Sequence, residues 1–283
     1  MKVISYTIIV LNKYSHIIRI KNAIIYIHIL MRVGKIMSKK KIIISVNGLT
    51  KDYGNNQGVF DISFEVAKGE VFGFLGPNGA GKTTTMRQLL GFIKSDHGNC
   101  EILGLECWEN PDEIQKHIGY VAGEIAMPDN MTGQELIEFV GKLRNIKLKR
   151  AKELCKYFDI NPNKKIKRMS KGMKQKIALV LAFMHDPEII LLDEPTSGLD
   201  PLMQEKFCDL ILQEKERGKT IILSSHIFNE VEKTCDRVMI IKEGKIITEV
   251  NMKDIDKKKP EFVITKFSLE KYFLEFYRKA ESK

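Results

Sequence analysis

The chain has 283 residues, 43% of them hydrophobic and 29% charged, with a formal net charge of +10. That balance excludes a disordered polymer and fits one large or two small globular domains. The charge is local: residues 1–41 hold nine Lys and Arg and no acid, leaving 37 basic against 36 acidic residues, so the body lacks the basic excess that a nucleic-acid partner calls for and none is expected.

Residues 1–36 are rich in Ile but broken by Lys13, His16, Arg19, Lys21, His28 and Arg32. The longest clean apolar run, Ala23 to Ile27, is far shorter than the roughly 20 residues of a membrane helix. No compact apolar core with a small-residue cleavage site marks a signal peptide. Composition shifts sharply at Met37, so Met37 is expected to be the natural start and 1–36 a non-native leader. A basic arm lying on a membrane is the alternative.

From Ile42 the pattern is strand, loop, strand. Ile42 to Val46 reads as one strand, and Val59 to Val66 alternates apolar and polar residues as a half-buried strand does. Val71 to Leu75 is continuously apolar, the mark of a strand buried on both faces. It runs into Gly76-Pro77-Asn78-Gly79-Ala80-Gly81-Lys82-Thr83, which fits the phosphate-binding pattern G-x-x-x-x-G-K-[ST] at every fixed position. The glycines let backbone N–H groups turn toward phosphates. Lys82 supplies positive charge, and the Thr83 hydroxyl can ligate Mg²⁺. The helix predicted from Gly81 to Leu90 aims its positive N-terminus at the same anion, with Gly91 closing it.

Next, Gln134 to Leu148 carries Leu136, Ile137, Val140, Leu143 and Ile146 near helical spacing. A second helix is predicted over Ala151 to Phe158, ended by Asn161-Pro162. Met169 to Lys174 opens an apolar-periodic stretch through Phe183, with Ser170 placed as its cap.

Ile189 to Leu192 is another all-apolar run, and it ends in Asp193-Glu194. Such a pair is usually a solvated turn, but the four apolar residues before it place it at the carboxyl end of a central parallel strand, where ligands bind. Asp193 can hold Mg²⁺ through water, and Glu194 can polarise an attacking water. Ser197 to Asp200 follows closely. Thr220 to Ser225 reads as a strand ending at His226, placed to read a phosphate and sense its charge.

The five cysteines are odd in number, scattered and never spaced C-x-x-C, so neither a disulfide framework nor a zinc site is expected and the thiols are read as reduced, in the cytosol. Past Gly244 the signals weaken. Lys257-Lys258-Lys259-Pro260 reads as a solvated linker. Leu269, Tyr272, Phe273, Phe276 and Tyr277 predict a terminal helix with an aromatic face.

Taken in order, these motifs resemble the nucleotide-binding subunits of ABC transporters, over about residues 40–250. Gly76 to Thr83 matches Walker A, with Thr84 beside it. Ile189 to Glu194 matches Walker B, Ser170-Lys171-Gly172-Met173 the signature, Ser197 to Asp200 the D-loop and His226 the switch histidine. Tyr53 matches the aromatic that stacks on adenine. Within the family the signature is most similar to those of bacterial antibiotic and peptide exporters.

The resemblance implies an α/β fold: a P-loop NTPase core with a mixed β-sheet and an inserted helical subdomain. The ATPase domain is expected over 38–250, its helical subdomain over about 123–185, and a linker and helix over 251–283. It implies an ATPase that uses ATP and Mg²⁺ and pairs with a second copy of itself or a homologous ATPase. It also implies a separate transmembrane permease, export as the direction, and the cytoplasmic face of the membrane as the location. ABC ATPases of chromosomes carry long coiled coils and ABC translation factors carry two cassettes, and this chain has neither. A nucleotide holder without turnover is disfavoured by Lys82, Asp193, Glu194 and His226.

Two positions depart from the family. Lys171 and Met173 stand where Gly and Gln are usual, and Lys171 is expected to face solvent. Gly123 stands where a Gln usually links the core to the helical lobe. Glu124 is expected to replace it in part, although its charge would repel Glu194 and the γ-phosphate.

Overall fold

The computed structural model describes residues 41–257 and Leu269. The expectations for 1–36, and for the aromatic helix beyond Leu269, lie outside the described residues.

Two sheets organise the fold. The smaller is antiparallel, in the order β2-β1-β4-β5, from β1 (Ile42–Asp52), β2 (Gly58–Ala67), β4 (His97–Ile102) and β5 (Leu105–Glu106). β1 extends well past the predicted Val46, through irregular register near Leu49. β4 and β5 were not legible: β4 reads HGNCEI, with only Cys100 and Ile102 buried.

The larger sheet is mixed and runs β10-β9-β3-β8-β7-β6. Its strands are β3 (Val71–Leu75), β6 (Ile118–Val121), β7 (Ile189–Asp193), β8 (Thr220–Ser225), β9 (Arg237–Lys242) and β10 (Lys245–Asn251). β6, β7, β8, β3 and β9 are parallel, and only edge strand β10 is antiparallel. Every residue of β3, β7 and β8 is buried, as central strands of a parallel sheet covered on both faces are, including the polar Thr220, Ser224 and Ser225 of β8. Successive side chains of β3 feed opposite cores. Phe72 and Phe74 join Phe64, Met86 and Ile102 on one face, while Val71 and Leu75 join the helical side with Phe158, Ile177 and Phe183.

The chain leaves the larger sheet after β6 and returns at β7. Between them lie the helices Gly133–Leu143, Lys149–Tyr157 and Lys171–Phe183. The first is capped by Thr132, whose side chain accepts from Glu135 N–H while the Glu135 carboxylate accepts from Thr132 N–H. It stops at Leu143, not at the predicted Leu148, because Asn145 adopts the left-handed conformation with φ 52°. Leu143, expected on the buried stripe, is 75% exposed, whereas Leu136 and Ile137 are buried. The segment from 251 also differs from expectation: Met252–Lys257 is a short helix, so Lys257 belongs to it and not to a linker. Leu269 is buried, and its N–H donates to Glu232 Oε1. All five cysteines are free and buried.

Candidate active site

The β3 strand delivers the phosphate loop to the carboxyl edge of the sheet, beside β8 and one strand from β7. Gly81 ends the loop at φ 105°, and a Cβ there would stand 2.6 Å from Val59 Cγ1, so only glycine fits. It precedes the helix Lys82–Leu89, whose N-cap makes no side-chain hydrogen bond, so first-turn N–H groups remain available to an anion. Lys82 is buried and folds back over the loop: Nζ donates to the Gly76 carbonyl at 2.7 Å and the Pro77 carbonyl at 3.1 Å.

The carboxylates arrive from β7. Asp193 is fully buried at the strand end. Its Oδ2 accepts from Thr83 Oγ1 at 2.6 Å and its Oδ1 from Ser224 Oγ at 2.5 Å. Thr83 and Asp193 thus place a hydroxyl and a carboxylate side by side, a hard oxygen donor set that fits Mg²⁺.

Glu194 leaves the strand at φ 47°, a conformation uncommon for a residue with a Cβ. Its N–H is held by the Ser224 carbonyl at 3.1 Å and Ser224 Oγ at 3.2 Å. That turn points the side chain back to the loop. Glu194 Oε2 accepts from His226 Nδ1 at 2.7 Å. Lys82 Nζ stands 3.1 Å from Glu194 Oε1, yet that buried oxygen has no aligned hydrogen bond. The Lys82 ammonium offsets much of the cost of burying that oxygen. A cationic loop, a Mg²⁺-type donor pair and a carboxylate backed by imidazole can together hold and hydrolyse a nucleoside triphosphate.

Lys82, Thr83, Glu194 and His226 line one cavity of about 770 Å³ together with Tyr53, Asn78, Gly79, Ala80, Thr84 and Glu124. Tyr53 is 52% exposed at its rim, free to meet a base. Gly76, Pro77 and Asp193 stand behind the lining as supports. Ser170 and Gly172 do not line this cavity. Ser170 is exposed and caps its helix, accepting from Met173 N–H at 3.3 Å. Gly172 packs so closely that a Cβ would lie 2.6 Å from the Gly198 carbonyl. Lys171 is exposed as expected, but not free: its Nζ donates to Ser197 Oγ at 2.7 Å.

At Gly123 a Cβ would stand 3.0 Å from Asp193 Oδ2, so any side chain there aims at the Thr83–Asp193 pair. Glu124 is exposed and lines the same cavity. Sequence reasoning passed over Gln57, which lines the cavity, and Ser224, which holds both carboxylate residues. The one cue to Ser224 was its place at the end of an apolar strand beside β7.

Fold and site define a P-loop nucleoside triphosphatase. The finer class follows from comparison. A family profile described as ABC transporter matches residues 59–197. An ABC transporter ATP-binding protein of Methanocaldococcus jannaschii, MJ1023, is 39% identical over 224 residues, covering 76% of this chain and 80% of its own. The bacitracin transport ATP-binding protein BcrA of Bacillus licheniformis is 38% identical, over 78% of this chain and 74% of its own. A solved structure of an ATP-binding subunit of an ABC transporter superposes with a TM-score of 0.74 at 26% identity, covering 83% of this chain and 99% of that one. The chain belongs to the ABC transporter family. It is an ATP-binding subunit, an ATPase whose hydrolysis powers transport.

Proposed function

We propose that this subunit binds ATP with Mg²⁺ in the cavity over Gly76 to Thr84 and drives a separate membrane-spanning permease in the direction of export. The observation that carries the reading is the meeting of Lys82, Thr83 and the Glu194–His226 pair in one cleft, with Asp193 bonded to Thr83 directly behind it. Lys82 and the loop N–H groups hold the outer phosphates, and Tyr53 stacks on the base. Thr83 and Asp193 hold Mg²⁺, which would offset charge developing on the phosphates. Glu194 polarises the attacking water, and His226 orients Glu194 and senses the terminal phosphate. Glu124, at the cavity wall, takes over part of the role that Gly123 cannot fill.

Ser170 and Gly172 lie outside their own chain's cavity, which supports their use by a second copy or a homologous ATPase. Their helix N-terminus would close the facing phosphate site. The ATPase domain spans 38–250, and the helical lobe over about 123–185 docks the permease. Among the described residues no helix is long and apolar enough to cross a membrane. A peripheral place on the cytoplasmic face, through the permease, belongs to the same reading. Export follows the likeness of the Ser170 to Gln175 signature to antibiotic exporters, and BcrA is named for bacitracin transport. Affinity purification from detergent-solubilised membranes of the host tests this reading. One stoichiometric multi-span protein is expected, and recovery of ribosomes or nucleic acid instead would overturn the transport assignment.

A further inference from the structure

Behind the Glu194–His226 pair lies a further carboxylate, outside the nucleotide cavity. Glu230 sits on the helix Phe228–Thr234 and is buried. Its Oε2 accepts from Ser225 Oγ at 2.5 Å and from Thr196 Oγ1 at 3.3 Å. The Ser225 hydroxyl also accepts from Ile227 N–H at 3.0 Å, so one side chain grips the backbone on both sides of His226. Thr196 belongs to the turn that begins at Glu194. Ser225 and Thr196 are both buried. A single carboxylate oxygen therefore joins the segment that carries His226 to the turn that carries Glu194.

The other oxygen, Oε1, has no hydrogen-bond partner. Burying it that way costs stability, and an apolar side chain would avoid the cost. What an apolar residue lacks is an oxygen able to take two hydroxyls at once.

We propose that Glu230 is a positioning residue for hydrolysis: through Ser225 and Thr196 it holds His226 in register with Glu194, and it touches no nucleotide. The inference rests on the reading of Glu194 as the water-polarising group. Burial, with the nearby Glu194 adding to it, pushes the Glu230 carboxyl up to about 7. A proton on this group goes to the unpartnered Oε1 and leaves Oε2 free to accept, so the clasp survives titration. A neutral Gln that keeps one accepting oxygen should then serve.

The test is the steady-state ATPase of the full chain with Mg²⁺ and ATP. Glu230→Ala is expected to lower kcat by about tenfold or more with KM for ATP within about twofold, the pattern of a lost transition-state arrangement. Glu230→Gln is expected to stay within about threefold of the wild-type kcat, and in a His226→Ala background Glu230→Ala should cost less than about twofold more, because coupled residues are not additive. Should Glu230→Ala unfold, Ser225→Ala cuts the same clasp and should show the same loss. Wild-type kcat in the variant that folds, equal losses with and without His226, or a change in KM alone would overturn the proposal. Glu194→Gln, run alongside, separates the two ideas. Full turnover there removes the underlying reading, whereas lost turnover with an unaffected Glu230→Ala removes only this inference.

Discussion

His226 Nδ1 lies 2.7 Å from Glu194 Oε2, while Lys82 Nζ stands 3.1 Å from Glu194 Oε1. Glu194 is thus held between a buried cation and an exposed imidazole. Removing its charge without changing its shape should stop hydrolysis and spare ATP binding. Glu194→Gln is expected to lower kcat by about a hundredfold or more, within the range a positioned base supplies. Under the proposed pairing, in which the Ser170 helix of a second subunit closes the phosphate site, the variant is also expected to accumulate as an ATP-dependent dimer. Light scattering with saturating ATP and Mg²⁺ checks this, and a monomer under those conditions counts against the scheme.

A second prediction concerns Gly123. A Cβ there would stand 3.0 Å from Asp193 Oδ2, so a Gln cannot be restored without a shift at the Thr83–Asp193 pair. Gly123→Gln is expected to raise the Mg²⁺ requirement and lower ATPase activity. Glu124→Ala is expected to lower activity several-fold, and ATPase titrations against Mg²⁺ read both. Unchanged activity in Glu124→Ala refutes its replacement role.

A third prediction is the pH dependence of stability. The folded Glu230 carboxyl titrates near 7, above its ordinary value of 4.5. A raised acid binds its proton more tightly when folded, so its contribution is fully present below about pH 4.5 and is lost as pH rises through about 7. The span corresponds to about 3 kcal/mol. Glu230→Gln carries no such charge. Its stability relative to wild type is therefore expected to rise between pH 5 and pH 8, measured by urea unfolding at both. A difference that does not vary with pH would contradict the assignment.

The parts of the fold legible in sequence were those fixed by burial on both faces. β3 and the Ile189 to Leu192 part of β7 are continuous apolar runs, and β8 carries Ile221 to Leu223 between buried polar ends; they lead into chemistry at Gly76, Asp193 and His226. Polar and edge strands were harder. β4, although paired on both sides, is polar at most positions, and edge strand β10 pairs with β9 through a turn in which Glu243 and Gly244 both take positive φ. The helix through Leu143 was overextended because Ile146 and Leu148 keep the apolar spacing after the backbone has turned at Asn145. Within the site, motif spacing located Lys82, Thr83, Asp193, Glu194 and His226. It could not place Ser224, Thr196 or Glu230, whose hydroxyls and carboxylate become neighbours only when separate strand ends are brought together. Lys171 is the same kind of case: nothing local in sequence ties it to Ser197.

The last prediction tests how the helices between β6 and β7 are fastened to the core helix Pro201–Glu216. Arg150, at the start of the helix Lys149–Tyr157, donates through Nε to the Phe183 carbonyl at 3.0 Å and through Nη2 to Glu214. Glu214 is buried on the helix Pro201–Glu216, so this contact crosses from the inserted helices to the core. Arg217 also binds both Glu214 oxygens, at 3.0 and 2.8 Å, and Asp186 as well. Removing Arg150 therefore leaves the carboxylate paired, and the cost should fall short of the roughly 3–5 kcal/mol of a stranded buried charge. Arg150→Ala is expected to destabilise by about 1–2 kcal/mol, since a charge-assisted bond is lost while its partner keeps another. Arg150→Ala with Arg217→Ala should cost more than the two single changes together, because only the pair strands Glu214. Chemical unfolding of the three variants measures this. Strict additivity would mean that the helices are held by apolar packing, with Glu214 indifferent to which arginine it meets.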